Sequence, residues 1–95
     1  MRRIYISGPV EGQPNYVERF LNAEELLCSR GFEICNPLDA REPGEDKNVI
    51  EACRKLLADC DEIYMLDGWG ASSIARLEFV YAVDHKMTIR FEGSI

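Results

Sequence analysis

Glu78 is the acidic residue whose neighbours single it out. At about 100° per residue from Ile74 it falls near 40°, with Ile74 and Tyr81 on one side and Ala75 and Ala82 on the other. A carboxylate in the middle of an apolar arc is either desolvated, with a perturbed pKa, or faces a cavity. The plainer alternative is a glutamate that snorkels past a sheet edge, or pairs with Arg76 or with an arginine of another subunit. Tyr5 alternates with Ile4 and Ile6 and so faces away from them, either filling the core or meeting a site. Asp67 closes a strand beside Gly68, Trp69 and Gly70, where an aspartate serves turn chemistry or borders a crevice.

Two loops could hold a ligand near these groups. Ser7-Gly8-Pro9-Val10-Glu11-Gly12 runs from a strand to a helix N-terminus, where free N–H groups and the helix dipole favour an anion. It lacks the phosphate-loop lysine and the dinucleotide glycine spacing, so a tight turn stands as the alternative. Ser72 and Ser73 open a later helix, as N-caps or as hydroxyl ligands of a phosphate. Trp69 on its Gly-flanked loop is a stacking platform for a base or a lid on the core.

No metal or cofactor is expected. Cys28, Cys35, Cys53 and Cys60 form no C-x-x-C pair, and His85 is the only histidine. Cys53 and Cys60 read as members of one helix, about 10 Å apart and beyond disulfide reach. Buried, reduced thiols are the expectation.

The elements that must position these residues alternate between strand and helix. Arg3–Ser7 is a strand running into Gly8-Pro9. Asn15–Arg30 is a helix with Val17, Phe20, Leu21, Leu27 and Cys28 on its apolar face, Pro14 near its start and Gly31 as its stop. Phe32–Cys35 is a short strand halted by Asn36-Pro37, and Asp39–Asn48 is a polar loop. A helix over about Asn48–Asp59 opens with Asn48 and Glu51 in capping-box spacing and carries Ile50, Cys53, Leu56 and Leu57. Strand Ile63–Leu66, loop Asp67–Ala71, a helix from Ser72 to His85 and strand Met87–Phe91 complete the chain.

Strands joined through helices need crossovers, so the sheet is expected to be parallel. Right-handed crossovers give an α/β three-layer sandwich with strand order 2-1-3-4. The crevice then lies beyond the carboxyl ends of strands 1 and 3, between Ser7–Pro14 and Asp67–Ser73. The last helix is apolar nearly all round, and the part near Phe79 and Val83 is expected to pack on a second copy of the chain, giving a homodimer or higher homo-oligomer.

Ninety-five residues allow one domain, over 1–95. A net charge of −6, from 11 Lys+Arg against 17 Asp+Glu, argues against polymeric nucleic acid and anionic membrane surfaces and leaves a small molecule or a protein as partner. The apolar runs are too short for a signal core or a membrane span, so a cytoplasmic chain is expected.

IYISGP at 4–9, NP at 36–37, CDEIYMLDGW at 60–69, and S-x-x-A-x-x-E-x-x-x-A from Ser72 to Ala82 together resemble the nucleoside 2-deoxyribosyltransferase superfamily, nearest its short phage and bacterial members. The resemblance covers nearly the whole chain and implies chemistry at the N-glycosidic bond of a deoxynucleoside or its 5′-monophosphate. It implies Glu78 as nucleophile, Tyr5 as the residue that orients it, Ser7–Gly12 (with Gly8, Pro9 and Gly12) as the sugar or phosphate loop, and Ser72 as a phosphate contact of a neighbouring subunit. Breaking C1′–N builds positive charge on the sugar, which an adjacent carboxylate traps as a glycosyl ester. Water then gives hydrolysis, and a second base gives transfer.

The sequence departs from the family where a helical aspartate usually stands eight residues before Asp61. Here that position is Cys53, and Ile74 replaces a small residue. Proton donation to the leaving base then falls to another group, with Asp67 the candidate. The alternative reading is a non-catalytic nucleotide- or nucleoside-binding module. A third is an interaction protein that uses the last helix only to dimerise.

Overall fold

Ile4 and Ile6 point to one side of a central sheet, and Tyr5 to the other, as period-2 alternation requires. The computed structural model describes residues 2–10, 12–37 and 49–93, with the side chains of 49–51 excepted. The elements run β1 (Arg3–Ser7), α1 (Tyr16–Ser29), β2 (Glu33–Cys35), α2 (Val49–Ala58), β3 (Glu62–Met65), a 3₁₀ turn (Trp69–Ala71), α3 (Ser73–Asp84) and β4 (Thr88–Phe91). The expected loop Asp39–Asn48, the Asn48–Glu51 capping pair and Glu11 of the first loop lie outside what is described.

All three strand pairings are parallel, in the order β2-β1-β3-β4. Tyr5 lies level with Cys35 on one side and Ile63 on the other, and Ser7 lies level with Met65. The order matches expectation because each connection carries a helix and must cross over with the same hand.

Two cores follow. Ile4, Ile6, Tyr64 and Leu66 pack with Phe20, Ala23 and Leu27 of α1. On the opposite face Tyr5, Cys35, Ile63 and Met65 pack with Cys53 and Leu57 of α2 and with Ala75 and Ala82 of α3. The molecule is therefore an α/β sandwich of α1, sheet, and α2 with α3. No helix among the described residues is long and apolar enough to cross a membrane.

Several sequence expectations are corrected. The face of α1 is not one stripe but two. Tyr16, Phe20, Ala23 and Leu27 cluster within about 60° of arc, while Val17, Leu21 and Cys28 centre roughly 110° away. The sheet covers only the first, which leaves Val17 44% and Leu21 48% exposed and Cys28 at the surface. Gly31 does end the helix as expected, taking φ 88°.

α2 stops at Ala58, so Cys60 lies past its end rather than within it. The Cys60 thiol donates to the Leu56 carbonyl at 3.3 Å, and burial and the neighbouring Cys35 thiol push its pKa up. β3 begins one residue earlier than expected and takes in Glu62, which is fully buried. Arg2 Nε lies 2.8 Å from one of its oxygens, and Arg90 Nε donates to the other at 2.6 Å. On α3, Phe79 is covered from within the chain, stacked on Trp69 with ring centres 4.6 Å apart. The uncovered apolar residues of that helix are Leu77, Val80 and Val83.

Candidate active site

α3 is built to lie close to the sheet. Ser72 caps it, its hydroxyl oxygen accepting from the Ala75 N–H at 3.2 Å. The inward residues are Ala75, Glu78 and Ala82. Methyl side chains three before and four after Glu78 let the helix approach, so that the longer glutamate side chain reaches β1.

There the alternation of β1 presents two hydroxyls. Tyr5 donates to Oε2 of Glu78, and Ser7 donates to Oε1 at 2.7 Å. Glu78 is 9% exposed, and both its oxygens have a donor, which offsets the desolvation of a buried carboxylate. The Tyr5 phenol is held well above its ordinary pKa, first by burial, then by the charge of Glu78 and by the Cys53 thiol within hydrogen-bond reach.

The two hydroxyl-bearing residues have different consequences for the expected roles. Tyr5 stands where an orienting residue would stand. Ser7 was expected among the ligands of sugar or phosphate, yet its hydroxyl hydrogen is directed at Glu78. Sequence spacing could not reveal this, because β1 alternation says only that Ser7 shares the face of Tyr5.

Glu78 also reaches space. A small pocket of about 20 Å³, partly open to solvent, lies between α2 and α3 and is lined by Arg54, Leu57, Ile74, Leu77, Glu78 and Tyr81. Arg54 was not singled out in the sequence, since a charged residue on an exposed helix face is ordinary. Its position directly after Cys53, three before the buried Leu57, was the available signal.

None of the remaining expected residues lines this pocket, which lies between two helices rather than in the expected crevice between the loops after β1 and β3. Gly8 lies against Leu66, and a Cβ there would meet the Leu66 side chain at 2.8 Å, so only glycine lets β1 leave the sheet on this path. Pro9 is buried, and a Cβ on Gly68 would lie 3.6 Å from its ring, so the two predicted crevice loops do meet. Gly12 is exposed with φ 72°. Ser72 serves as the helix cap, and Ser73 is exposed in the first turn.

Trp69 packs against the core and against Phe79 and Phe91, which is the lid arrangement. Asp67 is tied through its backbone: its N–H donates to Glu92 at 2.9 Å, and its carbonyl accepts from Arg19 at 2.9 Å. Its side chain is exposed and does not line the Glu78 pocket. Among the described residues no group of three His, Cys, Asp or Glu side chains is arranged to hold a metal ion.

The sequence profile of a family described as a domain of unknown function, DUF4406, matches residues 2–91. No curated protein matches the chain.

Proposed function

The chain belongs to the DUF4406 family, and from the site it carries we propose an enzyme of the nucleoside 2-deoxyribosyltransferase type. It cleaves or transfers at the N-glycosidic bond of a deoxynucleoside or deoxynucleoside 5′-monophosphate. One observation carries this reading: a buried carboxylate, Glu78, gripped by the hydroxyls of Tyr5 and Ser7 and opening on a pocket. A carboxylate held by two donors has a fixed direction of attack, which is what covalent trapping of a developing sugar cation needs.

In the first step a Glu78 oxygen bonds to C1′ as the C1′–N bond breaks, its electron pair leaving with the base. Tyr5 and Ser7 hold the carboxylate and do not bond to sugar. In the second step water or another base attacks C1′, and Glu78 departs as carboxylate.

Incubation with mixed deoxynucleosides and their monophosphates, followed by detection of free bases, tests the proposal. Base release that Glu78→Gln abolishes, with the fold intact by circular dichroism, is the expected result. Undiminished release by Glu78→Ala would sink it. The thiol at Cys53 favours the second reading, a module that binds nucleotide or nucleoside without turnover. Thermal protection by a ligand with no product over hours would mark that case.

We further propose that two copies pair through α3. Leu77, Val80 and Val83 are each more than half exposed, at 53%, 54% and 52%, and Leu77 also lines the pocket, so pairing would close the site's rim. Sedimentation of the unaltered protein and of Val80→Glu tests this, with a dimer expected for the first and a monomer for the second.

A further inference from the structure

The pocket beside Glu78 has a cation on its wall, and among the described residues no second carboxyl lines it to serve as an acid. Arg54 lines the pocket with Leu57, Ile74, Leu77 and Tyr81. It is exposed, and none of the ion pairs among the described residues uses it. The Tyr5 proton is committed to Glu78, and burial further opposes its release. The Cys53 thiol sits against Tyr5 in the core and does not line the pocket. The ring of Tyr81 is stacked on His85 with centres 3.9 Å apart.

We propose that Arg54 holds the departing base as an anion, replacing proton donation by charge pairing. This rests on the enzymatic reading above. When C1′–N breaks, the electron pair moves onto the base nitrogen and the Glu78 oxygen closes the bond to C1′. Nothing in the pocket needs to lose a proton in that step. A guanidinium carries its charge with a planar array of donors, which pairs with the ring acceptors over which the base's charge spreads. The base takes its proton from water after it leaves. In the second step the attacking water gives its proton to solvent and Glu78 is released as carboxylate.

The substrate class follows. Arg54 matters for neutral deoxynucleosides, whose base must leave negative. It is nearly irrelevant for a substrate already cationic on its base, which leaves neutral.

The experiment pairs each neutral deoxynucleoside or monophosphate that the protein cleaves with its cationic analogue, N7-methylated for a purine or N3-methylated for cytosine. Unaltered protein is compared with Arg54→Gln and Arg54→Lys, with thermal melts to check folding. For neutral substrates, kcat is expected to fall about 100-fold in Arg54→Gln, and by less in Arg54→Lys, which keeps the charge. For cationic analogues the loss is expected to stay within about threefold, because no charge develops on the base. Equal losses on both kinds of substrate would overturn the role of Arg54 while leaving Glu78 chemistry standing. Failure of the unaltered protein to release base from any member of the panel overturns both.

Discussion

Tyr5 and Glu78 are 73 residues apart in the chain, yet the phenol of one donates directly to the carboxylate of the other in the buried layer under α3. The contact joins the first strand to the last helix. Tyr5→Phe removes the donor and leaves a buried carboxylate oxygen short of a partner, which is expected to cost about 1–3 kcal/mol of stability. Urea unfolding measures this, and base release should fall with it. In a Glu78→Gln background the same substitution should cost measurably less, because the two residues act as a pair. Equal costs in both backgrounds would show that they do not.

Ser7→Ala separates a residue that holds the carboxylate from one that holds the substrate. Its hydroxyl is bonded to Oε1 of Glu78. Turnover is therefore expected to fall roughly tenfold or more through kcat, with KM within about a factor of two. A rise in KM at unchanged kcat would instead assign Ser7 to the substrate.

Alkali should destabilise the fold, and the sign follows from two buried acids. Tyr5 keeps its proton in the folded protein well above its ordinary value of 10.0, and Cys60 is raised from 9.0. The unfolded chain releases both protons near those ordinary values. Unfolding therefore sheds protons above about pH 9, and stability declines as pH rises further, while these two groups contribute no slope below it. Urea midpoints across about pH 7 to 10.5 should show this, with a shallower decline above about pH 10 in Tyr5→Phe. A midpoint that stays level to the end of that range contradicts it.

Glu62 tests a different layer of the molecule. Its carboxylate is fully buried between Arg2 and Arg90. Arg90→Met strips one partner from a buried charge and is expected to destabilise by about 1–3 kcal/mol. Adding Glu62→Met should recover much of that loss, since replacing both members of a buried pair by apolar groups is often neutral. A double variant as unstable as the sum of the two single ones would refute the pairing.

Strand and helix order, the parallel sheet and the sequence 2-1-3-4 were all legible in the chain. They depend on short-range periodicity and on the handedness of L-residues, which every segment carries within itself. The inward turn of Glu78 was legible for the same reason, since Ala75 and Ala82 flank it on one helix. So was the placing of Tyr5 on the face opposite Ile4 and Ile6.

What pairing and packing added could not be read locally. Leu21 and Phe20 are both apolar neighbours on α1, yet only Phe20 meets the sheet. Glu62 resembles any acidic residue at the start of a strand until Arg2 and Arg90 arrive from β1's approach and from β4. Ser7 finds its carboxylate, and Arg54 its pocket, only when α2 and α3 settle side by side over β1. Periodicity belongs to a segment, whereas desolvation and hydrogen-bond partnership belong to the neighbours that folding brings from elsewhere in the chain.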